Sequence, residues 1–289
     1  MKYSFSMLLL LTCSIAFAQP KVYTQAVIST TTNVIAPEEE DVQNIQNTQD
    51  QRGGMNFRNM MDGESKFVTY LKNDLVKTVI KSEMGSSTIY RDNSKLLTTT
   101  IMKMMGNTTG FFVTDQEQAE MKVRRDSMIA ERRKRDTTQR QMPPMESANE
   151  PTEISYTQES KKIAGYDCKK AYIITTRFLG IKDSATIWYT PAFKLKDVLS
   201  TGNLSSMGGM MANMVPTLNG LDKINGFVMR YEMKMRRNRR MEVEVTKVEL
   251  DKAIDVKEFD IPKDIEIKPM KEMQNMFGGG RGGMMRGRD

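Results

Sequence analysis

The sequence predicts a mainly β protein built on antiparallel hairpins, with helical or disordered insertions. Three observations lead there. Short runs rich in Val, Ile, Thr and Tyr recur from residue 65 onward, punctuated by Asn, Asp and Gly at close intervals, which is the spacing of hairpins and not of βαβ units. The stretch "GFVMRYEMKM" alternates apolar with mostly polar residues at strict period two, the signature of a strand buried on one side. The one segment composed of helix-favouring residues, 115–140, lacks a wide apolar stripe, so it reads as an excursion from the core.

Taken in order, "KVYTQAVISTTTNVI" (21–35) is a first strand that Pro37 and the acidic run Glu38 to Asp41 terminate. The polar stretch to about residue 64 is an exposed insertion. A meander follows: "SKFVTYLK" turns at Asn73-Asp74 into "LVKTVIKSEM", which breaks at Gly85 and resumes as "SSTIYRD". Asn93-Ser94 leads into "KLLTTTIMKMM", and Gly106-Asn107 into "TTGFFVTD". Residues 115–150 form the second insertion, with a basic knot at Arg132, Arg133, Lys134 and Arg135, read as solvated.

Strands resume at Ile154. In "KKIAGYDCKKAYIITT", Tyr166, Cys168, Lys170, Tyr172 and Ile174 share one face, and Asp167, Lys169, Ala171 and Ile173 the other. "SATIWYTPAF" is a strand ended by Pro191. Residues 194–225 are a Met-, Gly- and Asn-rich crossover. Phe227, Met229, Tyr231, Met233 and Met235 alternate with Val228, Arg230, Glu232 and Lys234. "RRNRR" then turns into "MEVEVTKVEL", where the apolar phase slips from Val245 to Val248 and predicts a bulge. "EFDIPKDIEIKPM" is a final extended segment, and the Gly-, Met- and Arg-rich residues 271–289 are a disordered tail. The expected organisation is thus residues 1–18 as a signal, 19–270 as a single β domain with insertions at about 36–64 and 115–150, and the tail.

Residues 1–18 carry Lys2, the apolar run "MLLLLTCSIAF" and a small-x-small site at Ala16-Phe17-Ala18, which reads as export by a cleaved signal. Acylation of Cys13 is the rival, and Thr12 stands where lipoprotein signals carry a small residue. Cleavage leaves Cys168 without an intrachain partner. Histidine is absent from the sequence, which excludes Ser-His-Asp and Cys-His catalysis and His-based zinc sites. The formal charge is +7, of which Lys2 supplies one. In an exported protein that charge points to anionic envelope surfaces and not to nucleic acid.

Cys168 is followed by Lys169, on the opposite face, and by Lys170, about 7 Å along the strand, so it reads as a packed apolar residue and not a reactive thiolate. Methionine occurs 26 times. Met207, Met210, Met211 and Met214 could supply soft thioethers to Cu(I), while the wide spread of Met favours its use as a pliable apolar residue. Tyr172, Ile174, Ile187, Tyr189, Phe227, Met229, Tyr231 and Met233 either line a ligand cavity or form an ordinary core. Glu242 and Glu244 alternate on a hairpin surface and read as solvated.

"IAGYDCKKAYIITT", "ATIWYTPAF" and the closing "FDIPKDIEI" resemble the DUF4412 family of exported, Bacteroidota-type proteins, over roughly residues 65–270. That family is similar to the LolA-like lipoprotein-carrier superfamily. The GLPGLI family shares the Gly-Tyr-x-Cys-Lys-Lys strand, but its naming motif is not found here. The resemblance implies a curved antiparallel half-barrel whose concave side holds an apolar ligand, and it implies no catalytic residue. The expectation is an exported, non-enzymatic binding protein of the periplasm, outer membrane or cell surface, with a lipid or lipidated protein as partner and no cofactor. The alternatives are a Met-rich Cu(I) protein of the envelope and a secreted structural or protein-interaction module.

Overall fold

The computed structural model describes residues 19–35, 63–135, 152–176, 182–196, 221–234 and 239–272. The β-branched and aromatic runs form strands, and the residues between them turn. The strands are β1 (Lys21–Tyr23), β2 (Gln25–Ile35), β3 (Gly63–Lys72), β4 (Leu75–Ser82), β5 (Gly85–Asp92), β6 (Leu97–Met104) and β7 (Asn107–Thr114). After the helix α1 (Asp115–Arg135) come β8 (Thr152–Ile163), β9 (Tyr166–Thr176), β10 (Lys182–Thr190), β11 (Phe193–Leu195), β12 (Phe227–Lys234), β13 (Arg240–Leu250) and β14 (Ile267–Pro269). Met105-Gly106 and Ala164-Gly165 take positive φ at both central positions, the hairpin geometry whose twist matches its flanking strands.

Twelve strands make one sheet in the order β14-β7-β6-β5-β4-β3-β2-β13-β12-β10-β9-β8. Every pairing in it is antiparallel except β14 with β7. The sheet is open, with β14 and β8 as its edges. The expected first strand is broken at Thr24, because β1 leaves the sheet to pair in parallel with β11.

Paired residues share a face, so each register row can be read for burial. Ala171, Ile187, Tyr231 and Val243 form one row across β9, β10, β12 and β13, and all four are buried. Ile173, Ala185, Met233, Met241 and Val34 form the next, also buried. Leu221 and Ile224 pack against these rows. A fully buried side chain of this size contributes about 1.5–3 kcal/mol, so this block is a main source of stability. On β3–β5 of the same face, Phe67, Ile80 and Ile89 form a smaller cluster.

The bulge expected in β13 is present as a register shift between Val245 and Lys247. The uninterrupted alternation expected in β12 is not. Trp188 of β10 pairs with Arg230, but the next residue, Tyr189, pairs with Val228, leaving Met229 as an extra residue. Val228 therefore joins Tyr189, Ile187, Tyr231 and Met233, while Phe227 and Met229 pack with Ile163, Cys168, Phe193 and Leu195. Helix α1 starts where helix-favouring composition begins. Its first turn is fixed by a reciprocal cap, in which Glu117 N–H donates to Thr114 Oγ1 (3.2 Å) and Thr114 N–H donates to Glu117 Oε2 (2.9 Å). The Arg91 guanidinium grips both oxygens of Asp115, with Nη2–Oδ2 at 2.8 Å. Among the described residues, no helix is long and apolar enough to cross a membrane.

Candidate functional site

From Leu250 the chain does not return to the sheet at once. Residues 251–266 cross, as a strap, the face of β3–β7 opposite to Phe67 and Ile80, and end by adding β14 to the edge of β7. Polar pins hold the strap. Lys72 Nζ donates to the Ile254 carbonyl at 2.6 Å, and the Gln25 side-chain amide donates to the Lys252 carbonyl. Lys77 Nζ pairs with Glu258 at 3.1 Å and lies 5.6 and 5.8 Å from the ring centroids of Tyr70 and Tyr90. Asp255 caps the 3-10 turn Val256–Phe259 by accepting from Lys257 N–H at 3.0 Å.

The strap seats at Gly110 of β7. A Cβ there would lie 2.3 Å from Ile267 Cδ1, forcing that side chain to swing away, and 3.1 Å from the Glu266 carbonyl oxygen, so glycine lets the strap backbone sit close against β7. Between strap and sheet is an open cleft of about 720 Å³. Ser86, Thr88, Tyr90, Ile101 and Lys103 form its sheet side; Pro262, Asp264, Ile265, Glu266 and Lys268 form its strap side. Burial raises the Tyr90 phenol above its usual range, against the pull of Lys77, so Tyr90 offers a ring and a neutral hydroxyl. The lining therefore supplies hydroxyls, three aliphatic side chains (Ile101, Pro262 and Ile265) and a few charges.

The eight residues singled out for ligand lining do not share one surface. Ile187, Tyr189, Tyr231 and Met233 belong to one packed cluster, Phe227 and Met229 to another. Tyr172 and Ile174 are half-buried on the face opposite to Ala171 and Ile173. The Tyr231 hydroxyl is buried with no hydrogen-bond partner among the described residues, and burial holds this phenol far above its usual range. Cys168 is fully buried and free; burial pushes its thiol up to about 11. Lys170 turns from it to Glu159, at 3.0 Å. Glu242 and Glu244 are not simply solvated, since Arg230 holds Glu244 at 2.7 Å and Glu242 at 3.5 Å. Met207, Met210, Met211 and Met214 lie outside the described residues, as do the expected signal (1–18), residues 36–62 of the first expected insertion (36–64), residues 136–150 of the second (115–150), and the expected tail (271–289) from residue 273.

The cleft itself was missed by sequence reasoning. Its one local signal is Gly110 inside a strand pattern, which marks a close backbone approach without naming what approaches.

The family described as a domain of unknown function, DUF4412, matches residues 53–265. The chain belongs to the DUF4412 family. The DUF4412 match takes in the meander β3–β7 and the strap as far as Ile265, and leaves out β1, β2 and β14. Among curated proteins none matches the chain. Among solved structures it is similar to PNGF-II in its C2 and P21 space groups, at 13% and 14% identity with TM-scores of 0.34 and 0.35. Those matches cover 85% and 88% of this chain but 30% and 33% of PNGF-II. The chain thus spans about a third of those structures, and backbones that diverge so far carry no argument about activity.

Proposed function

We propose that this DUF4412 protein is an exported, non-enzymatic binding protein of the cell envelope that holds an acyl chain or a lipidated partner in the cleft beneath its strap. The observation that carries this reading is the 720 Å³ cleft between the strap and β5–β7, a volume within the range of small-molecule sites. Ile101 and Ile265 supply its apolar contact and Tyr90 a ring. Apolar burial there is worth about 25 cal/mol per Å², a modest driving force before the costs of association. That suits reversible loading and release. Of the eight residues expected to line a ligand site, six are packed into two core clusters and Tyr172 and Ile174 are half-buried on the other face, and they are not the proposed site.

Support for export comes from the first eighteen residues. Support for a non-catalytic role comes from the absence of histidine in the sequence and from the buried, protonated state of Cys168. Native mass spectrometry of the purified protein is expected to show a co-purified lipid, and a fluorescent fatty acid is expected to bind. Thr88→Trp fills the cleft from its floor, so probe affinity should fall at least tenfold at unchanged Tm. A protein that purifies empty and rejects the probe overturns the reading.

A further inference from the structure

The register of β3–β7 arranges the strap-side face in rows of distinct chemistry. One row is Lys66–Lys81–Ser86–Lys103–Thr108. The next is Val68–Val79–Thr88–Ile101–Gly110, and the third is Tyr70–Lys77–Tyr90–Thr99–Phe112. Each row is two residues along the strands from its neighbour, about 7 Å at 3.4 Å per residue. Polarity thus changes from a cationic, hydroxyl-bearing row to an aliphatic row to an aromatic one within about 14 Å. The single charge in the third row, Lys77, is neutralised by Glu258.

The cations of the first row are largely uncommitted. Lys66 pairs with Glu64 at 3.3 Å, but Lys81 and Lys103 make no ion pair among the described residues, and both are exposed. They stand on β4 and β6 with Ser86 of β5 between them, so their ammonium groups can converge over that hydroxyl. Two carboxylates face them from the strap. Glu266 is answered by Lys268 at 3.2 Å, and Asp264 sits on the same wall.

We propose that the cleft is selective for anionic single-chain amphiphiles: the carboxylate or phosphate headgroup rests on Lys81, Ser86 and Lys103, and the alkyl chain runs over Ile101 beneath Ile265. This rests on the strap cleft being the binding site and adds the headgroup charge and the direction of the ligand. Two exposed ammonium groups acting together on one anion favour it by about tenfold.

The test compares decanoate, decyl phosphate and decanol by displacement of a fluorescent fatty acid from the full chain and from the Lys81→Gln/Lys103→Gln variant. The wild type is expected to bind one or both anions about tenfold more tightly than decanol; which anion leads separates a fatty acid from a phospholipid source. In the variant that preference should vanish while decanol affinity stays within twofold, and 1 M salt should erode it in the wild type. Equal affinity for acid and alcohol in the wild type overturns the headgroup site and leaves the cleft standing. Failure of all three to bind overturns the cleft reading and the headgroup site with it.

Discussion

Cys168 shows how far a single residue can be judged from its neighbours in sequence. Alternation alone places Lys169 on the other face, where it is exposed, and the structure gives Lys170 to Glu159. What remains around the thiol is apolar packing, the Tyr166 carbonyl 3.4 Å from Sγ, and the cross-strand Lys161, whose pull on the thiolate is outweighed by burial. Native-state labelling by a maleimide at pH 8 should therefore be at least 100-fold slower than in denaturant. Because the folded thiol titrates near 11 and the unfolded one near its ordinary 9, the unfolded state loses its proton first. The thiol's contribution is intact below pH 9 and is lost as pH rises toward 11, by up to about 1.4 kcal/mol per unit; denaturant midpoints measured across that window check the sign. Tyr231 offers a second test. Its buried hydroxyl has no partner among the described residues, so Tyr231→Phe removes a desolvation cost and should leave stability unchanged or raise it by about 1 kcal/mol in urea unfolding.

At the scale of elements, the sequence was legible where a rule is local. The turns at Asn73-Asp74 and before Gly85, the β13 bulge and the start of α1 all follow from nearby residue types. Gly85 adopts φ +149°, and a Cβ there would meet the Lys103 carbonyl oxygen at 2.3 Å, so the break read at that position has a steric cause. The β12 bulge was not legible, because Met229 is as apolar as the residues whose alternation it interrupts. The strap was half legible: 258–270 reads as extended, but its course over the sheet depends on pins from Lys72 and Lys77, more than 180 residues away. Its seat can be tested with Gly110→Leu. Leu cannot coexist with Ile267 as placed, so backbone amides 262–269 should lose protection in hydrogen exchange while those of β9, β10 and β12 keep theirs. Unchanged exchange in 262–269 would show that the strap does not depend on this contact.

For the whole molecule, the open sheet explains why one chain carries two environments. Its β9–β13 end buries Ile173, Ile187 and Met241 completely and is a packed core. Its β3–β7 end is covered on one side only by a strap, and there a cleft remains. The expected apolar lining over 172–233 and the cleft therefore fall at opposite ends of the same sheet. By itself the sequence determined the fold class, most of the strands and the burial of Cys168, because alternation, turn chemistry and side-chain polarity act between residues close along the chain. Only the tertiary structure decided which apolar face is packed and which is left open. That choice is made by strand order, by one extra residue in β12 and by a segment returning from the far end of the chain, and contacts across such separations leave no periodic mark in the sequence.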